Sequence, residues 1–440
     1  MNEQISIEQI SEFSKKYNED INNKIIENSI TKNGLDNTCI DRKIIIENQP
    51  IFNIELPDSK RYDQKDSYKC WIYAGINMIK HNIAENLNID IMKLELSNTY
   101  IAFFDKLEKS NNAYENIINL KNTDIDYIHK EKIIKYCVSE GGYWQWFVSI
   151  VNKYGIVPMQ FMPDNAESTN YYKISDILAE KVKKDIVYLL KLKNNKESIE
   201  SLRKQKSILL QENYMLLSKM LGEPNFKFNY EYKDKNNDYI MLKDITPIEF
   251  KNKFLTLNLQ NFVSIGNLPM YNKEYYKLYS KKYSGNVFQN SYVSFLNLPI
   301  EDLKELVIKQ LKDNVPVWIA GHITKFRDKK SGVLDTRLYN YKHTLNFNTL
   351  TKEEALNLHN IYLQHAMTFC GVHLLENKPV RWKIEDSYGD KEKVNGYYVM
   401  NDNFFNEFVL NVIIDKKYLN EKHLELLNQN PIEFDIEEPF

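Results

Sequence analysis

Gln64-Lys65-Asp66-Ser67-Tyr68-Lys69-Cys70-Trp71-Ile72-Tyr73-Ala74-Gly75 runs from a polar loop straight into an apolar segment, with one cysteine at the seam. Trp71, Ala74, Gly75, Met78 and Ile79 recur at helical spacing, which predicts a helix from Cys70 to about Ala84 with one buried face. A thiol at a helix N-terminus faces unpaired backbone N–H groups and the positive end of the helix dipole. Both favour the thiolate, the reactive form. The competing reading is a small buried hydrophobe, the commoner role of a free cysteine. The stretch by itself leaves the two in balance.

The whole chain narrows the classes. At 440 residues it has room for two or three domains' worth of core. A formal net charge of −2 gives no field that would mark a nucleic-acid or membrane-surface protein. No apolar run approaches the roughly 20 residues of a membrane span. Met1 to Asp20 is polar and amphipathic, without the apolar core of a signal peptide. Cys39, Cys70, Cys137 and Cys370 make neither a disulfide framework nor CxxC pairs for zinc. A reducing cytoplasm is expected.

Outward from the cysteine, Ser6 to Ile30 reads as one helix, with Ser6 as N-cap, Gln9 completing a capping box and Gly34 near its end. Glu95 to Lys106 begins another, read as a buried helix with an aromatic stripe and no special chemistry. Glu140-Gly141-Gly142-Tyr143-Trp144 lies at a helix junction, where paired glycines let backbone approach a ligand. Asp176 to Leu221 is helical and lysine-rich, but interspersed acids make it a solvated face rather than a nucleic-acid patch. Pro299 to Asp313 is one more helix. Short β-rich runs follow at Val315–Ala320, Ala366–Leu375, Val380–Glu385, Gly396–Asn401 and Phe408–Ile414.

Three motifs then tip the balance. Gln64-Lys-x-Ser-x-x-Cys70-Trp71 resembles the nucleophile segment of papain-like cysteine peptidases, in particular the bleomycin hydrolase and aminopeptidase C branch. The resemblance makes Cys70 the nucleophile, and Gln64 with the Cys70 backbone N–H the oxyanion donors. Tyr68 stands where that family has glycine. Gln364-His365-Ala366-Met367-Thr368 resembles the segment of the catalytic histidine; among eight histidines, His365 alone has this context. Arg381-Trp382-Lys383-Ile384-Glu385-Asp386-Ser387-Tyr388-Gly389 resembles Trp-x-x-Glu-Asn-Ser-Trp-Gly, with Asp386 replacing the Asn that orients the imidazole and Tyr388 replacing the shielding Trp. Glu385 is read as a surface or structural residue, and an Asp386→Asn variant is expected to keep substantial activity.

The resemblance implies an α+β, papain-like two-lobed fold, a helical lobe and a β-barrel-like lobe, with helical and hook-like insertions. The expected domains are an N-terminal helix and arm (1–60), the helical catalytic lobe (61–162), oligomerising insertions (163–295) and the β-rich lobe with the tail (296–440). Gly141, Gly142 and Trp144 are expected to bind substrate. So is Phe440, at the end of a tail that in the family threads into the cleft and holds the substrate's α-amino group. The activity implied is a cysteine aminopeptidase acting on peptides as a homohexamer, with no metal or organic cofactor. Alternatives are an endopeptidase on the same fold, since the tail departs from the family's, and a weakly active ring-forming scaffold or binding protein.

Overall fold

The computed structural model describes residues 4–120, 124–281, 284–290, 292–389 and 396–434. Its centre is the helix Cys70–Asn86. Every residue from Trp71 to Lys80 is buried, so the single apolar face read from spacing is too narrow a description. The helix lies between two layers: the helices Asn98–Asn119 and Trp144–Tyr154 on one side, the strands Val317–Gly321 and His365–Leu375 on the other. A helix covered on all sides tolerates Gly75 and Ala74 because they let neighbours approach; a Cβ on Gly75 would lie 2.5 Å from the Phe147 ring.

Ser97 caps Asn98–Asn119 by accepting from the Tyr100 N–H at 3.1 Å. Its aromatic stripe packs as expected, with Phe104 stacked on Tyr154 at 3.9 Å and Phe103 edge-on to Tyr214 at 5.4 Å. The long helices Tyr171–Asn194 and Ile199–Leu221 lie against the same helix and are followed by the hairpin Phe228–Lys233/Tyr239–Ile245.

The N-terminal segment differs from expectation. It forms two helices, Ile7–Glu19 and Ile21–Asn33, because Asp20 turns the chain and caps the second by accepting from the Asn22 N–H at 2.9 Å. The Ser6–Gln9 capping box and the Gly34 cap are both present. Neither helix has a buried residue, and Ile7, Ile10, Phe13 and Tyr17 are exposed.

The second layer is a 12-stranded sheet. From one edge its order is Ile432–Phe434, Lys277–Lys281, Ser294–Asn297, Phe262–Gly266, Val409–Asp415, Val317–Gly321, His365–Leu375, Lys378–Glu385, Tyr397–Asn401, Val333–Leu334 and Arg327–Asp328, with Ile54–Glu55 pairing beside His365–Leu375. Three of these strands begin between residues 262 and 294, inside the segment expected to be insertion up to 295. They are four or five residues long, and Lys277-Leu-Tyr-Ser-Lys281 has the polar ends of a loop. The β lobe therefore begins about thirty residues earlier than read, at Phe262. Register sets up the site: Thr368 opposes Glu385, so His365 and Asp386 fall at the same end of one hairpin. Among the described residues no helix is long and apolar enough to cross a membrane.

Candidate active site

The loop before Cys70 is fastened to the loop after Glu385. The Gln64 N–H donates to the Ser387 carbonyl at 2.6 Å, the Gly389 N–H donates to the Tyr62 carbonyl at 2.9 Å, and Asp63 pairs with Tyr388. The two loops are thus tied to each other. Tyr68 adopts φ 53° and points outward, 57% exposed. It takes the left-handed backbone that glycine would take more cheaply, at a cost of about 1–2 kcal/mol.

Lys69, the helix N-cap, is buried. Its ammonium donates to Asn98 and lies 3.9 Å from Asp164 and over the rings of Tyr73 and Tyr171. Burial draws its pKa down to about 8, against the pull of Asp164 and Glu140. It anchors the first turn from below.

Cys70 then sits at the first turn facing His365. Burial opposes ionisation of its thiol, but the His365 charge, a hydrogen bond from His365 and one from the Ala366 N–H outweigh it, so the pKa falls below the ordinary value. His365 Nε2 lies 2.7 Å from Asp386 Oδ1, leaving Nδ1 for the thiol. Burial would discharge the imidazole; Asp386 and Cys70 reverse that and raise its pKa to about 9. The Tyr388 ring stacks on His365 at 5.5 Å with planes 22° apart, covering the imidazole where a Trp was expected. Gln64 is buried beside it, in hydrogen-bond contact with the Tyr388 hydroxyl.

A cavity of about 330 Å³ opens beside Cys70 and His365, with Gly141 and Gly142 in its wall. Gly141 has φ 74°, and a Cβ on Gly142 would lie 2.4 Å from the Trp71 ring. The backbone at Gly141 favours glycine, and at Gly142 there is no room for a Cβ.

A sequence model described as the Peptidase C1-like family matches residues 4–440. The chain belongs to that family. It is 32% identical over 433 residues to Aminopeptidase C of Listeria monocytogenes serovar 1/2a, covering 98% of this chain and 97% of the relative. Aminopeptidase C of Lactobacillus helveticus is 33% identical over 426 residues, covering 95% and 94%. The crystal structure of PepW from Lactobacillus rhamnosis HN001 matches with a TM-score of 0.95 at 32% identity, covering 100% of this chain and 99% of that one. Near-complete coverage places the chain in the bleomycin hydrolase and aminopeptidase C branch and fixes its fold as α+β and papain-like.

Against that family background, some expected site residues fall elsewhere. Trp144 is a correction: it is a core residue, 1% exposed, packed on Phe147 at 5.5 Å and Phe262 at 6.0 Å. Two residues along a helix turn a side chain to another face, so Trp146, with Tyr143, lines the cavity instead. Phe440 lies outside the described residues. Of the two readings of Glu385, surface or structural, the structure supports the second: it is buried against Lys80. The helix Asn98–Asn119 has more than its packing role. Lys106 donates to the Val138 carbonyl at 3.0 Å, and Lys109 donates to the Ser139 carbonyl at 2.9 Å while lying 4.2 Å over the Trp146 ring. These buried lysines hold the backbone leading into the glycine pair. Arg327, against the far side of Asp386, was also missed. No motif surrounds any of the three, and only tertiary contact reveals them.

Proposed function

We propose that this chain is a cysteine aminopeptidase with Cys70 as nucleophile, His365 as general acid and base, Asp386 as the residue that orients the imidazole, and peptides as substrates. The carrying observation is the run from Asp386 through His365 to Cys70 at the edge of a cavity walled by Gly141 and Gly142. The thiolate attacks the peptide carbonyl while the Cys70 N–H and Gln64 receive the oxyanion. The imidazolium protonates the leaving amine; the neutral imidazole then activates water against the thioester. These steps use side chains and water alone. The reactive ion pair exists between the lowered thiol pKa and the raised imidazole pKa, so activity plateaus through neutral pH and falls as pH rises through about 9.

Exopeptidase action is supported by the last described strand. Ile432–Phe434 runs parallel to Lys277–Lys281 and sets Phe434 opposite Lys281, a residue of the cavity wall. This reading gives residues 435–440 the role of receiving the substrate's free α-amino group. The test compares fluorogenic amino-acid amides with N-acetylated peptides, for the full chain and for one ending at Phe434. The full chain is expected to favour free N-termini at least tenfold, and the shortened chain to lose that preference. Equal cleavage of blocked peptides by the full chain would establish the endopeptidase alternative.

Self-association and a cytoplasmic setting belong to the same proposal. The four free cysteines fit a reducing compartment. Exposed apolar side chains line the N-terminal helices (Ile7, Ile10, Phe13) and the long insertion helices (Tyr172, Val187, Ile208), more than single scattered residues would leave. A homohexamer of the 52.3 kDa chain is the expected species in light scattering. A stable monomer at micromolar concentration would refute it.

A further inference from the structure

Asp386 has two carboxylate oxygens, and they meet different partners. Oδ1 accepts from the His365 imidazole at 2.7 Å and from the Ser387 N–H at 2.7 Å. Oδ2 faces the Arg327 guanidinium at 3.3 Å. Arg327 is itself buried, with 6% of its side chain exposed. It donates from Nε to the Tyr398 hydroxyl at 2.9 Å and lies over the rings of Tyr398 at 4.5 Å and Tyr388 at 5.7 Å. The short strand Arg327–Asp328 carries it, and Phe326 just before adopts φ 49°, a region that bulky residues rarely enter. The backbone accepts that strain where the guanidinium turns inward.

An amide and a carboxylate are not equivalent in this setting. A carboxylate accepts on both oxygens; an amide accepts on one side and donates on the other. With Asn at position 386, either its NH2 would face Arg327, donor against donor, or a flipped amide would turn the NH2 toward the imidazolium.

We propose that Arg327 is a positioning residue matched to Asp386. It satisfies the second carboxylate oxygen, holds Oδ1 on His365, and divides the carboxylate's charge between two cations so that the imidazole is not raised too far to release its proton. The proposal rests on the reading of Cys70 and His365 as the reacting pair. It also revises the expectation that Asp386→Asn keeps substantial activity: beside Arg327, the amide is the wrong partner. Among the described residues, the charged and titratable groups around the imidazole are Cys70 from the helix Cys70–Asn86, Asp386 and Tyr388 from the loop after Glu385, and Arg327. Lys329 lies 5.9 Å over the Tyr388 ring.

The test uses Arg327→Gln, Arg327→Lys, Asp386→Asn and the double variant Arg327→Gln/Asp386→Asn in the full-length enzyme. Two pH profiles are taken: kcat, and the rate of Cys70 alkylation by iodoacetamide, which needs no substrate. Alkylation rises again when the imidazolium loses its proton, because the freed thiolate is the better nucleophile. Removing the guanidinium leaves more of the Asp386 charge acting on His365, so Arg327→Gln is expected to move the alkaline transition of both profiles upward by roughly one pH unit. Its kcat should fall about tenfold, while KM stays near wild type. Arg327→Lys keeps the charge and should keep the transition near its wild-type position. Asp386→Asn moves the transition down and lowers kcat by roughly a hundredfold; the double variant regains about tenfold over it, because the donor conflict is gone. A merely structural role would lower the amount of folded enzyme without moving either transition. An unmoved transition in Arg327→Gln, or a double variant no more active than Asp386→Asn, overturns the proposal. If wild type shows no hydrolysis that depends on Cys70, the functional reading fails, and the alkylation profiles still decide the role of Arg327.

Discussion

Replacing Cys70 by alanine is expected to abolish hydrolysis, by at least about 10⁴-fold in kcat, and to leave the protein folded. The size follows from the interdependence of nucleophile and base, where loss of either removes nearly the whole chemical contribution. The fold survives because alanine is the best helix former, and Cys70 contributes one sulfur atom at the start of a helix anchored by Trp71, Ile72 and the buried Lys69. The same change at Cys370 is expected to spare activity. Cys370 is buried in the β lobe, where burial pushes its thiol far up, and its Sγ contacts the Lys383 carbonyl at 3.6 Å. Circular dichroism and initial rates on both variants check the pair. An active Cys70→Ala enzyme would contradict the assignment.

Lys80→Met is expected to have the largest effect on stability. Lys80 lies ten residues along the helix that begins at Cys70, wholly buried, with its ammonium 2.6 Å from Glu385. Glu385 also accepts from the Ser59 hydroxyl at 2.9 Å, and Lys80 donates to Asn77 at 2.8 Å. This pair joins the helix that carries Cys70 to the strand Lys378–Glu385, whose end precedes Asp386, so it ties that helix to the sheet behind the site. Removing one partner leaves an uncompensated buried carboxylate, which costs roughly 3–5 kcal/mol. Removing both, in Lys80→Met/Glu385→Leu, should recover most of that loss, since a buried pair contributes little over apolar residues of similar volume. Urea unfolding of the two variants measures the difference. A single variant as stable as wild type would show that Glu385 is rehydrated or held by other groups.

How much was legible in the sequence depended on how local each feature is. Cys70 and His365 stand in contiguous motifs, and the capping box at Ser6 is a four-residue pattern, so each could be read from a short window. The turn at Asp20 was missed because apolar spacing continues across it, and a single capping side chain decides the break. Trp144 was misplaced because adjacency to a glycine pair does not specify which helix face a side chain takes. Arg327 lies 59 residues from Asp386, and Lys109 lies 32 residues from Gly141. Such partners are brought together by sheet register and helix packing, and single-sequence pattern carries no record of them. The strands between 262 and 297 were hidden for a related reason: their β character comes from a neighbour at each edge more than from their own residues.

The most direct measurement is the labelling of the native enzyme by iodoacetamide at pH 6, with each of the four cysteines followed by mass spectrometry. Cys39, Cys137 and Cys370 are buried, and burial pushes their thiols up, whereas His365 and the Ala366 N–H pull Cys70 down. Cys70 should therefore be alkylated at least about ten times faster than any other, and His365→Ala should remove that advantage. Equal labelling of the four thiols, or an advantage of Cys70 that survives the loss of His365, would contradict the thiolate–imidazolium pair.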